Sequence, residues 1–115
     1  MNEKTNTYFN ALQEAATDGQ ERAWRAWIET TRSQSSAFEV RDLPWERDIH
    51  DFVETLRAAG VTEFAVTDRS TALMGSLHRL VEAGCTMQGL CKVTRNEIRW
   101  GEKDNTEYEA ILFRT

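Results

Sequence analysis

Residues Val61-Thr62-Glu63-Phe64-Ala65-Val66-Thr67-Asp68-Arg69-Ser70 carry a strand pattern that ends in a polar turn and leads into a helix. The strand is predicted over Glu63 to Thr67, where aromatic and β-branched residues gather. Asp68 or Ser70 then caps a helix whose buried stripe is Leu73, Met74, Leu77, Leu80 and Val81. Gly84 closes that helix. Upstream, Gly60 closes another, with Val61 as the apolar residue after a left-handed cap.

The preceding helix begins at Asp42-Leu43-Pro44, with Asp42 as cap and Pro44 in a first turn where its missing N–H costs nothing. Trp45, Ile49, Phe52, Val53 and Leu56 form its packed face. Before it, Phe38 to Arg41 alternates as a strand with Phe38 and Val40 inward and Glu39 and Arg41 on a wet face. Further upstream, residues 5–16 predict a helix with Tyr8, Phe9, Leu12 and Ala16 on one side, broken at Asp18-Gly19. A second helix follows from about Gln20 to Arg32, with Ala23, Trp24, Trp27, Ile28 and Thr31 as its stripe, and Ser33 to Ser36 form a polar linker. Downstream, strands are predicted at about Thr86 to Thr94 and Glu107 to Arg114, joined by a long charged arm over Arg95 to Thr106.

The order is ααβαβαββ, an α/β chain of α+β character. It predicts a small mixed four-stranded sheet, with helices packed on it and a C-terminal antiparallel hairpin. The β-α-β units predict parallel neighbours with right-handed connections. At 115 residues one domain is expected, with a helical pair over 1–36 and an α/β core over 37–115.

The net charge is −5, of which −4 falls on residues 1–60. Clustered Lys and Arg for phosphate contacts are lacking, so nucleic acid is a weak expectation and a basic protein surface a better one. A charge of this size also simply keeps a domain soluble. The start, Met1-Asn2-Glu3-Lys4-Thr5, has no apolar signal region, and no apolar run reaches membrane length. A cytoplasmic protein with reduced Cys85 and Cys91 is expected.

Two groups of residues stand out. Asp42 and the set Asp68, Arg69 and Ser70 follow strands and precede helices, where open α/β sheets collect ligands. Capping and solvation are the simpler explanation of them, and no glycine-rich phosphate loop is present. In the arm, Arg95, Arg99, Trp100 and Lys103 combine residue types enriched at interface hot spots. The same residues offer the weaker route to nucleic acid. No catalytic constellation and no cofactor are expected. For a metal, only His50, His78, Cys85 and Cys91 come into question, and the cysteine spacing matches no zinc pattern.

The stretch Asp51 to Asp68, the stretch Ala83 to Arg95 and the ending Tyr108 to Arg114 resemble a family of small uncharacterised bacterial proteins. Such proteins are typical of integrative and conjugative elements and plasmids in gut Firmicutes. The resemblance spans most of residues 42–115 and brings no activity, cofactor or catalytic residue. It implies an interaction protein of a mobile element, such as an inhibitor of a host defence nuclease. The alternatives are a ligand-binding or enzymatic domain with its site at the strand ends, and a nucleic-acid-binding regulator. A homodimer is expected if aromatic side chains are exposed.

Overall fold

A computed structural model of the chain describes residues 2–12, 14–99, 102–104 and 106–115, with backbone alone over 97–99 and 102–104. Four α-helices are described: α1 Glu3–Ala11, α2 Asp18–Ser33, α3 Ile49–Ala58 and α4 Leu73–Glu82. The strands are β1 Glu39–Val40, β2 Glu63–Val66, β3 Thr86–Thr94, β4 Glu97–Arg99, β5 Glu102–Asp104 and β6 Glu107–Arg114. The main sheet has the order β1-β2-β6-β3, and β4 pairs with β5 alone. This is the expected mixed sheet in the expected chain order.

β1 and β2 are parallel neighbours, joined through α3. β2 and β3 are not neighbours: β6 lies between them and is antiparallel to both. The final strand is therefore a central one. Among the described residues no helix is long and apolar enough to cross a membrane.

Both glycine caps form as the spacing predicts. Gly60 has φ +79°, and Val61 N–H reaches back to Leu56 O while Gly60 N–H donates to Arg57 O. Gly84, at φ +95°, repeats this with Cys85 N–H to Leu80 O. These bonds satisfy the last carbonyls of α3 and α4 and turn the chain into β2 and β3.

The helix starts differ. Asp18-Gly19 opens α2 instead of breaking a helix, because Thr17 Oγ1 accepts the Gln20 N–H and caps it. Asn2 caps α1 through Thr5 N–H, so α1 begins early and ends at Ala11, short of Ala16. Asp42 caps nothing: α3 is preceded by a 3-10 turn, Glu46–Asp48, and its own N-terminus has no side-chain cap. Trp45 fits the α3 stripe by spacing, but its backbone is extended (φ −56°, ψ 150°), so its side chain leaves that face.

The core lies between the helices and one sheet face. Phe52 and Leu56 of α3, Leu77 and Leu80 of α4, and Phe64 and Phe113 of the sheet are all buried there. Phe64 and Phe113 stack 5.6 Å apart. Phe9 of α1 stacks on Trp27 of α2, whose Nε1–H donates to Asn6 at 2.9 Å, and this pair extends the same core. In α2 the buried line is Ala23, Ala26, Trp27 and Thr30, so Thr31 turns out to solvent. In α4, Met74 and Val81 are exposed, not buried.

The β3–β6 hairpin curls. Val66 and Leu90 both face Ile111, so a flat sheet would carry Thr94 roughly 13 Å past the end of β2. Instead Thr94 meets Ser36, just upstream of β1: Ser36 N–H donates to Thr94 O at 2.9 Å, and Thr94 N–H donates to Ser36 Oγ at 3.0 Å. Opposite margins of the sheet thus meet at one end, as in a partly closed barrel. Gly89 (φ +135°) sits where the register slips between Met87 and Gly89, and such a bulge sharpens the bend. The concave face is lined by small residues, with Ala65, Val93 and Ala110 buried beside Ala37 and Cys91.

Arg57 ties the ends of three elements. Its Nη2 donates to Ala83 O and Thr115 O, its Nε to Thr115 O, and its Nη1 to Glu54. Arg57→Ala is expected to lower unfolding stability by about 1.5–3 kcal/mol, the usual range for hydrogen bonds to a charged donor. Urea denaturation would measure it, and a loss below about 0.5 kcal/mol would contradict the tie.

Candidate functional surfaces

The curled hairpin buries a charge. Glu39 was expected on a wet face of β1, but it is fully buried. That face is the concave one, and the hairpin covers it. Arg95, at the end of β3, donates from Nε to Glu39 Oε1 at 3.0 Å and from Nη2 to Oε2. Thr67 Oγ1 donates to Oε2 at 2.6 Å and Ser35 Oγ to Oε1 at 3.1 Å. Arg41 Nε stands 3.6 Å from the same carboxylate. The Arg95 guanidinium also lies over the Tyr108 ring, 3.6 Å from its centroid. The cation is thereby held between a carboxylate and an aromatic face.

Burial alone would push the Glu39 carboxyl up, but the bonds from Arg95 and Thr67 and the charges of Arg95 and Arg41 outweigh it and hold it below its ordinary value. The carboxylate has its acceptor sites filled and no access to solvent. The arrangement organises structure and leaves no free base. Arg95, named above as a partner contact, is buried in this network. It roots the arm onto β1. Arg99 and Lys103 lie on β4 and β5, with their side chains outside the described residues, as is Trp100.

The strand-end group divides. Asp68 Oδ2 accepts Leu43 N–H at 2.9 Å and its Oδ1 accepts Ser70 N–H at 2.7 Å. It stitches the loop after β1 to the loop after β2. Asp42, Arg69 and Ser70 are exposed, and α4 has no side-chain cap. His50 and His78 are exposed on α3 and α4, Cys85 is buried and Cys91 half-buried. No group of three metal-ligating side chains occurs among the described residues. Burial pushes both thiols above their ordinary value, which opposes thiolate formation.

One surface residue escaped the sequence reading. Trp45 follows β1 at the carboxyl end of the parallel pair and is 72% exposed. Buried Pro44 precedes it and the 3-10 turn follows, so its backbone is held on both sides. It borders a cleft of about 190 Å³ that is also lined by Asp18, Glu21, Asp48, Arg22 and Arg25. On its other side lie Glu46 and Arg79, 3.8 Å apart. The available signal was Pro44 itself. An extended segment around it was readable as an alternative to a helical first turn. A second, larger groove of about 480 Å³ runs along Thr5, Asn6, Thr30, Gln34, Ser35 and Thr62. Its lining mixes neutral hydroxyl and amide groups with the apolar Ala37, Phe38 and Val61 and one carboxylate, Glu63.

Glu39→Gln is expected to cost about 3–5 kcal/mol, because it leaves Arg95 buried without its counter-charge. Glu39 titrates below its ordinary 4.5 in the folded protein. Its contribution is therefore complete above that value and is lost as the pH falls through the lower folded value. Between pH 7 and pH 3 the native protein should lose more stability than Glu39→Gln does. Equal losses in the two proteins would show that Glu39 does not carry the acid response.

No match was found among curated proteins or among solved structures. A family model described as a domain of unknown function, DUF7698, matches residues 22–115. The match begins inside α2 and takes in the whole sheet, the Glu39–Arg95 network and Trp45. The chain belongs to the DUF7698 family.

Proposed function

We propose that this chain is a non-enzymatic protein-binding module that docks on a basic protein surface. The observation that carries the reading is Trp45: a large aromatic side chain, 72% exposed and beside a charged cleft lined by Asp18, Glu21 and Asp48 together with Arg22 and Arg25. Tryptophan is among the residues most enriched at binding hot spots, and an apolar centre ringed by charge is the usual anatomy of such a spot. The acidic balance of residues 1–60 supports the same kind of partner. Arg99, Trp100 and Lys103 of the arm supply a second contact in this proposal, with Arg95 holding the arm in place.

The resemblance to proteins of mobile genetic elements narrows the partner. A host defence nuclease, such as a CRISPR effector, offers a basic nucleic-acid channel, and the chain would act there as an inhibitor. The expected outcome is that the immobilised protein retains a basic nuclease from a bacterial host lysate. Trp45→Ala should weaken that complex by about 30-fold or more, as truncation of a hot spot does. Retention unchanged in both Trp45→Ala and Trp100→Ala would refute both contacts. The ligand reading at Asp42, Asp68, Arg69 and Ser70 predicts instead a thermal shift with a small molecule. The nucleic-acid reading predicts affinity that falls steeply with salt.

A further inference from the structure

Away from Trp45, the opposite margin of the molecule carries a second exposed apolar surface. β3 has β6 on one side only. On it Leu90 is 88% exposed and Met87 48%. α4 lies beside β3, and two of its residues add to the surface: Met74 is 68% exposed and Val81 54%. Met74 and Val81 are two helical turns apart and share one line. Gly75 and Arg79 meet Glu46 on one flank of α4, while Leu77 and Leu80 point into the core. The Met74–Val81 line is therefore on the remaining flank, toward β3.

The backbone of this edge is also open. The alternation that turns the N–H and C=O of Thr94 toward Ser36 turns those of Lys92 and Leu90 outward as well. Among the described residues no bond to the outer backbone groups of Leu90 or Lys92 occurs. Proteins usually block such an edge with charge, proline or a covering loop. Here residues 86–92 hold one charge, Lys92, which pairs with Glu107 at 3.6 Å.

We propose that this margin joins two copies of the chain, with β3 pairing antiparallel to β3 of the second copy around a two-fold axis at Leu90. The inference is independent of the Trp45 surface. Three observations select a second copy as the occupant. The outward N–H and C=O of Leu90 are self-complementary across such an axis, with Lys92 then falling opposite the bulged segment at Gln88 and Gly89. Residues 73–81 and 86–92 contain no Asp or Glu, so two chains of net charge −5 meet here without opposing carboxylates. The size suits a weak dimer. The seven residues 86–92 give an open edge of about 23 Å, and the molecule is 21 Å through its thinnest axis. That corresponds to about 500 Å² per copy, or about 1,000 Å² in all, the size of a weak, reversible interface. A dimer with a micromolar dissociation constant is expected.

Sedimentation velocity from about 1 to about 200 μM tests this, since mass action shifts a micromolar dimer across that range. Native protein should move from monomer to dimer. Leu90→Asp places two carboxylates at the axis and should weaken the dimer at least tenfold. Lys92→Pro removes an outward N–H together with the exposed ion pair to Glu107 and should do the same, with circular dichroism unchanged in both. Trp45→Ala should dimerise like the native protein. A monomer throughout, or a dimer indifferent to both β3 substitutions, or one lost with Trp45→Ala but kept with Leu90→Asp, would overturn the proposal.

Discussion

Glu39 sits on the face of β1 that a flat sheet would leave to solvent, and its carboxylate has no contact with water. Removing a carboxylate from water is costly unless its charge and its lone pairs are both answered. Arg95 answers the charge and comes from 56 residues further along the chain. It can reach Glu39 only if the β3–β6 hairpin bends back across the sheet. The bond between Ser36 and Thr94, the small residues of the concave face and the bulge at Gly89 all accompany the bend that this pairing requires. Arg95 also fixes the point from which β4 and β5 depart, so the position of the arm depends on the same contact.

Much of this architecture was legible in the residues. The glycines at 60 and 84 marked the ends of α3 and α4, because a left-handed cap followed by an apolar residue is a local device that needs no tertiary help. The boundaries of β3 and β6 were equally clear from composition. Failures occurred where a local pattern had a non-local outcome. Glu39 alternates with Phe38 and Val40 as a surface residue should, and nothing near it in sequence announces Arg95. Trp45 keeps the i, i+4 spacing of α3 and yet precedes the helix. Met74 and Val81 flank a true stripe and were absorbed into it, although the width of the stripe is set by what α4 packs against.

The candidate surfaces were less legible than the fold for the same reason. Asp68 was readable as a polar group at a strand end, and it is one, but both its oxygens serve backbone N–H groups of neighbouring loops. Arg95 had the residue type of a contact and the position of a keystone. The exposed apolar groups that remain, Trp45 on one margin and the β3–α4 line on the other, are set apart by what does not cover them. Exposure of that kind is a property of the whole fold.

The placement of β6 between β2 and β3 carries a consequence for synthesis. The ribosome delivers β1, β2 and β3 in order, and the strand that must separate and join β2 and β3 arrives after all of them. Until it does, β2 and β3 each present an open edge, and Arg57 has no Thr115 carbonyl to hold. The sheet cannot grow strand by strand as the chain emerges. It must close in one late step built from distant contacts, the kind of topology that folds slowly and leaves strand edges exposed to other chains meanwhile. In this chain the open edges of β2 and β3 therefore stay available to other strands until β6 is made.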